Sequence, residues 1–174
     1  MPITFVPADP AEHREAILRL NVEYLGWVRE GVAGLFGEKA LASFRSTVEE
    51  DAAATIEHLC TPHEGSGSFY LIELQGQFIG MCALRRLRDG VAEIKRVYVR
   101  RPFHGMGVGR SVLQRLLSDA RAIGCSTVRL DTAEFMHAAR RLYLAHGFVD
   151  CLPHEDVEVP RALHHRWHFM QRQT

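Results

Sequence analysis

The sequence predicts a mixed α/β protein, a mostly antiparallel sheet flanked by helices. Three features carry that expectation. β-Like runs at residues 69–74 and 78–84 and a β-branched-rich run at 91–99 are divided by turns at Gln75-Gly76-Gln77 and Arg88-Asp89-Gly90, so they read as a three-stranded meander. A helical apolar period follows in Val108, Val112, Leu113, Leu116, Leu117, Ala120 and Ile123, with Gly124 where a helix would stop. Beyond it, a strand-like run, a helix-like run and two further strand-like runs complete the chain.

Taken in order, residues 3–6 are a short apolar opening strand. Asp9-Pro10-Ala11-Glu12 has the form of a helix start, with a capping acid, Pro at the first helical position and acid in the first turn. Ile17, Leu18, Leu20, Val22, Leu25 and Val28 give that helix its apolar face, and Gly31, Gly34 and Gly37 are expected to break it. A second helix is expected from about Glu38 to His58, with Glu49-Glu50-Asp51 on a solvated face. The turn-forming stretch 61–68 reads as an exposed loop. After the meander and the helix at Val108, a strand is expected over 127–131, a helix through Tyr143 ending at Gly147, and strands over 148–152 and 163–170.

Composition narrows the function classes. The 174 residues suit one domain, 1–174, with a real core, and 47% hydrophobic with 24% charged residues is ordinary for a soluble globular protein. Lys plus Arg and Asp plus Glu both number 21, which argues against a nucleic-acid partner held by a general basic surface. No leader pattern and no apolar run of bilayer-spanning length is present, so no membrane partner is expected. Cys60, Cys82, Cys125 and Cys151 are scattered with no C-x-x-C pair, which fits a reduced, cytoplasmic protein with idle thiols. His164, His165 and His168 lack a nearby acidic or cysteine ligand set, and no metal is expected.

The chemistry is concentrated between residues 91 and 117. A strand leads through Arg100, Arg101 and Pro102 into Gly105-Met106-Gly107-Val108-Gly109 and then the helix. The first N–H groups of a helix lack intrahelical partners, the dipole adds positive potential there, and glycines keep side chains out of the way. That is a backbone site for phosphate oxygens. It lacks the Lys-Ser/Thr of a Walker loop and the G-x-G-x-x-G of a dinucleotide fold; the other reading is a close helix–sheet crossing that needs small residues.

Residues 97–110 (Val97, Tyr98, Val99, then Arg100-Arg101-Pro102-Phe103, then His104, Gly105, Met106, Gly107, Val108, Gly109 and Arg110) resemble the acetyl-CoA signature of the GNAT (Gcn5-related) N-acetyltransferases. That family's Gln/Arg-x-x-Gly-x-Gly/Ala pattern falls on His104, Gly107 and Gly109, with His104 departing from the usual Gln or Arg. Residues 128–132 and 138–148 resemble the family's later strand and its tyrosine-bearing helix, so the resemblance covers best about residues 77–150. It implies a GNAT-like acyl-CoA N-acyltransferase fold, and acetyl-CoA as acyl donor held along Val97–Val99 and by the loop. Arg110 and Ser111 are implied as further pyrophosphate contacts, and His104 either holds phosphate or faces water. Arg100 and Arg101 either reach the outer phosphates or are solvated.

Acetyl transfer to an amine needs a neutral nucleophile, a polarised carbonyl and a proton for the departing thiolate. The resemblance implies Tyr143 as the acid, the backbone N–H of Val99 as the carbonyl polariser and Glu93 as the base. The alternatives are a core tyrosine and a glutamate engaged in an ion pair with Lys95 or Arg96. The expected function is transfer of acetyl from acetyl-CoA to a primary amine by direct attack in a ternary complex, with a small-molecule acceptor ahead of a protein lysine or N-terminus. A non-catalytic acyl-CoA-binding sensor or regulatory module is the alternative. Tyr24, Trp27, Glu23 and Phe44 are candidates for the acceptor pocket, and a homodimer is implied by the resemblance alone.

Overall fold

Tight turns fix the middle of the sheet. In the computed structural model, which describes residues 2–44, 46–59 and 67–174, β2 (Gly67–Leu74), β3 (Gln77–Arg88) and β4 (Val91–Val99) pair as an antiparallel meander. Gln75 and Gly76, at φ 54° and 75°, make the first turn with both central residues left-handed, which matches the twist of the strands they join. β1 (Thr4–Pro7) pairs antiparallel with β2. β5 (Thr127–Ala133) joins β4 in parallel and β7 (Trp167–Gln173) in antiparallel, and β6 (Val149–Cys151) closes the edge, giving the order β1-β2-β3-β4-β5-β7-β6.

Strand alternation sorts side chains onto two covered faces. On one, α3 (Val108–Ala122) places Val112, Leu113 and Leu116 against Ile72, Ile94 and Val128, and α4 (His137–Ala145) adds Tyr143 over Phe148. On the other, α1 (Arg14–Phe36) and α2 (Val48–Leu59) press Ile17, Leu20 and Ile56 onto Leu71, Met81 and Ala83. A third cluster joins Val28 and Val32 of α1 to Leu163, with Trp27, Phe44 and Trp167 packed around them.

Two irregularities in β4 position the site. Pairing between β4 and β5 covers only Val91–Thr127, Ala92–Val128 and Glu93–Arg129, so the strands part beyond Glu93 while β4 stays on β3 as far as Val99. The register also slips between Met81–Tyr98 and Ala83–Lys95, so Cys82 faces both Arg96 and Val97 across a β-bulge, with Arg96 at φ 55°.

Several local expectations are corrected. Asp9 accepts the N–H groups of Ala11 and Glu12 in a separate turn, and α1 starts later, at Arg14. Gly31 and Gly34 lie inside α1, which ends only at Gly37 with φ 83°. Gly31 is there for space: a Cβ would sit 2.3 Å from the Phe135 ring. In place of one long second helix there are a 3-10 turn, Glu38–Ser43, and then α2. Thr47 and Glu50 form a reciprocal capping box at the start of α2, each side chain accepting the other's backbone N–H at 3.1 and 2.7 Å. Glu49 and Glu50 are exposed as expected, but Asp51 turns inward to Arg29 at 3.2 Å. The final strand begins at Trp167, because Arg161–Arg166 is a 3-10 turn. Cys60 and nearly all of the loop expected over 61–68 lie outside the described residues; Cys82, Cys125 and Cys151 are free thiols. Among the described residues, no helix is long and apolar enough to cross a membrane.

Candidate active site

The parting of β4 from β5 exposes backbone polar groups in the middle of the sheet. Arg100 N–H donates to Ile79 C=O across β3 at 2.9 Å, so Val99, one residue back, turns its own N–H and C=O the other way, into the opening. The Val99 carbonyl accepts Nε2–H of His104 at 2.6 Å, which folds the loop back beside the strand end. The loop then curls through Gly105 and Gly107, at φ 78° and 81°, and nothing lies within 4 Å of where a Cβ would stand on either. Ser111 N–H makes the first bond of α3, to Gly107 C=O, so Val108, Gly109 and Arg110 present N–H groups with no helical carbonyl before them. Gly109 serves packing instead, since a Cβ there would come within 2.9 Å of Leu142 on α4. Met106 and Arg110 are exposed beside these amides, and Ser111 is half-buried.

Where β4 and β5 part there is a cavity of about 610 Å3. Tyr24, Trp27 and Phe44 wall it from the helical side, Ile94–Val97 from β4, Asp131 and Thr132 from β5, and Tyr143 from α4. Glu158, Val159 and Arg161 close it from the segment between β6 and β7. Val97 and Tyr143 are therefore the link between strand opening and cavity, whereas no residue of Gly105–Gly109 lines it.

Part of the charge on the wall is neutralised in pairs. Lys95 Nζ meets Glu158 at 2.6 Å, and Arg85 meets Glu158 at 2.8 Å and Glu93 at 2.7 Å. Burial opposes the charge on Glu158, but Lys95 and Arg85 outweigh it and hold the carboxyl down at about 2. Glu93 is the opposite case: it is 1% exposed, and burial raises its pKa above the ordinary glutamate value despite Lys95 and Arg85. Asp131 accepts Trp167 Nε1–H at 2.7 Å. Tyr143, 5% exposed, has its phenol pKa raised by burial and, less strongly, by Tyr24 and Asp131, and its hydroxyl makes no hydrogen bond among the described residues.

The residues singled out in the sequence do not all meet here. Tyr143 and Val97 line the cavity, as do Tyr24, Trp27 and Phe44. Tyr98 lies on the α1 face, its ring against Tyr24. Glu93 does not line the cavity; it sits behind Lys95, its carboxylate held by Arg85. Arg100 is neither solvated nor aimed at the loop, because its guanidinium grips Glu23 at 2.7 and 2.8 Å and Phe78 C=O at 3.0 Å. Arg101 is exposed. Asp131 was legible in principle: Val128 and Leu130 face α3, which puts Asp131 on the opposite face of β5. Arg96 and Glu158 carry no comparable signal, since a bulge aims one and a long connection delivers the other.

The sequence profile of the Acetyltransferase (GNAT) family matches residues 36–148. Among curated proteins, an N-acetylaspartate synthetase of Danio rerio is 29% identical over 131 residues, 75% of this chain and 46% of its own length. An IAA acetyltransferase of Azospirillum brasilense is 31% identical over 83 residues, 47% of this chain and 54% of its own length. The chain thus spans about half the length of these curated relatives. In fold it is similar to a GNAT acetyltransferase of Staphylococcus aureus, with a TM-score of 0.72, 15% identity and 99% of each chain covered. It is also similar to a PaiA N-acetyltransferase of Thermoplasma acidophilum in complex with coenzyme A, with a TM-score of 0.66, 17% identity and 100% of each chain covered. A third fold neighbour is a Salmonella typhimurium acetyltransferase with its cofactor acetyl-CoA, with a TM-score of 0.63, 21% identity, and 99% of this chain and 94% of the other covered. With the parted strands, the glycine loop at the head of α3 and the family profile running through both, the chain belongs to the GNAT acetyltransferase family.

Proposed function

We propose that this chain is an acyl-CoA-dependent N-acetyltransferase that moves acetyl from acetyl-CoA to a primary amine by direct attack in a ternary complex. The observation that carries the reading is a strand, β4, that parts from β5 to line with Val97 a cavity also walled by Tyr143, and then runs through Val99 into the open amides at the head of α3. The donor set suits CoA: helix-end and loop amides favour a diphosphate, and Gly105 and Gly107 leave it room. Gly105, Met106, Gly107, Val108, Gly109 and Arg110 would hold it through their N–H groups, with Ser111 and His104 alongside. Acetyl-CoA, when bound, supplies an acetyl group activated as a thioester.

The chain's own groups meet the remaining demands. Val99 N–H is a preset donor for a carbonyl oxygen at the strand opening. Tyr143 keeps its proton at neutral pH, because burial raises its pKa, and can give it to a departing thiolate. An alkylammonium has a pKa of about 10, so attack requires loss of a proton. Asp131, a carboxylate on the same wall as Tyr143, takes that proton and frees the nitrogen lone pair for attack; the second N–H proton, lost as the amide forms, replaces the one Tyr143 gives to the thiolate. Glu93, the acid expected from the sequence, would need water or Lys95 between itself and the amine. The cavity falls within the range of about 300–1,000 Å3 usual for small-molecule sites, which supports a small acceptor. The name of the zebrafish relative, N-acetylaspartate synthetase, agrees with that.

An amine panel scored for free CoA tests the reading. The expected result is acetyl-CoA-dependent thiol release with at least one small amine. Tight acetyl-CoA binding with no release across the panel would replace the enzyme with an acyl-CoA sensor.

A further inference from the structure

Asp51, Lys95 and Glu158 on the cavity wall have ionic partners; Arg96, Asp131 and the exposed Arg161 have none among the described residues, and of the two cations Arg96 is the half-buried one. Lys95 is matched by Glu158, and Arg29 just behind the wall is matched by Asp51. Arg96 has no carboxylate partner among the described residues. Its Nη2 donates to the neutral Thr55 hydroxyl at 3.3 Å, its guanidinium lies 5.7 Å from the Tyr24 ring centroid, and its Nε is buried with no acceptor. A half-buried guanidinium with only neutral neighbours bears a desolvation cost that an anion would relieve, and its planar fork suits a carboxylate. The bulge that gives Arg96 its left-handed backbone is what aims this residue off the strand's regular alternation.

Asp131 is the complementary case. It accepts only the Trp167 indole N–H and has no cationic partner within ion-pair distance among the described residues. Arg96 on β4, Asp131 on β5 and Tyr143 on α4 line the same cavity, across the gap where β4 and β5 part. The walls between are aromatic: Trp27, Phe44 and Trp167.

We propose that the acceptor is an amine that carries a carboxylate, of the amino-acid class with an apolar or aromatic side chain. Its carboxylate lies on Arg96, its amine between Asp131 and Tyr143, and its side chain against the aromatic walls. This rests on the acetyltransferase reading above and adds the acceptor class to it. A zwitterion satisfies Arg96 and Asp131 at once; a simple amine satisfies only Asp131.

The test uses matched pairs that differ only in the carboxylate: L-phenylalanine against 2-phenylethylamine, and L-leucine against 3-methylbutylamine. CoA release and calorimetric binding are measured for the wild type, Arg96→Gln and Arg96→Lys. The expected wild-type preference for the amino acid is about ten- to a hundredfold in kcat/KM, the size of a charge-assisted hydrogen bond expressed as a ratio. Arg96→Gln should collapse that ratio, chiefly through KM of the acceptor, and Arg96→Lys should restore part of it. Melting temperature and acetyl-CoA affinity report whether the variants fold, and the wild-type ratio decides the question even if they do not. Carboxylate-dependent binding without CoA release would keep the acceptor class and refute the enzymatic reading. CoA release that favours the decarboxylated amines, a ratio that Arg96→Gln leaves intact, or no binding by either member of both pairs would overturn the proposal.

Discussion

Tyr143 illustrates how one side chain is prepared by two environments. Its ring packs on Phe148 in the core under α4, while its hydroxyl reaches the cavity without a protein partner among the described residues. The burial that raises its pKa keeps it a proton donor across neutral pH. Tyr143→Phe should therefore lower kcat by about 10²–10⁴-fold, the span usual for a general acid, with little change in acetyl-CoA affinity. Single-turnover rates beside equilibrium binding would separate the two. The carboxylates divide by position. Asp131→Asn should lower kcat/KM for the acceptor with little change in acetyl-CoA affinity. Glu93→Gln should lower the melting temperature by loosening Arg85 and Lys95 while kcat/KM for the acceptor changes much less. A larger loss of kcat/KM in Glu93→Gln than in Asp131→Asn would move the base to Glu93.

At the level of elements, the head of α3 and the two breaks in β4 do the positioning. Gly107 is the N-cap at φ 81°, where an L residue costs roughly 1–2 kcal/mol. Gly107→Ala should cost that much stability, about 2–4 °C in Tm per kcal/mol for a chain of this size, and weaken acetyl-CoA binding more than acceptor binding. Calorimetry with each ligand checks it. The helix α3, its glycine loop and the three-stranded meander were readable because their signals are local: periodicity, Gln75-Gly76, and Gly124 at the helix end. The start of α1 was not, because Asp9 caps a preceding turn that has the same chemistry as a helix start. Nor was its passage through Gly31, where the reason for glycine is the Phe135 ring, remote in sequence. The bulge at Arg96 has no residue signature at all, since it arises from the pairing of β4 with β3.

Across the whole molecule, the cavity is completed by a strap. The connection between β6 and β7 delivers Glu158 onto Lys95 and Arg85, and Asp156 onto Arg88 at 3.0 Å. Glu158 keeps 54% of its side chain exposed while Lys95 beneath it is 9% exposed, so solvent screens the pair from one side only. Glu158→Gln should cost about 1 kcal/mol, the upper end for exposed pairs, and raise proteolysis within 152–160. The sign with pH follows from the lowered pKa. Unfolded glutamate titrates near 4.3, so the stabilisation is complete above that value and is lost as pH falls towards about 2. Acid titration of wild type against Glu158→Gln should show the two stabilities converging over that window. Tyr24, Trp27, Phe44 and Tyr143 of this wall were named from the sequence, but Arg96, Asp131 and Glu158 were not assigned to it, because they come from β4, β5 and the β6–β7 connection, which meet only in the folded sheet. The glycine loop at the head of α3, proposed to hold phosphate, was legible for the opposite reason, being a single stretch of backbone.

The central claim is that open backbone amides at the head of α3 and along the end of β4 receive the acyl-CoA. Titrating 15N-labelled protein with acetyl-CoA and following each amide resonance tests it most directly. The account predicts that Gly105, Met106, Gly107, Val108, Gly109 and Arg110 shift together with Val99, and that Val91–Glu93, where β4 and β5 are paired, stay in place. Saturable binding with the Gly105–Arg110 amides unmoved would contradict it.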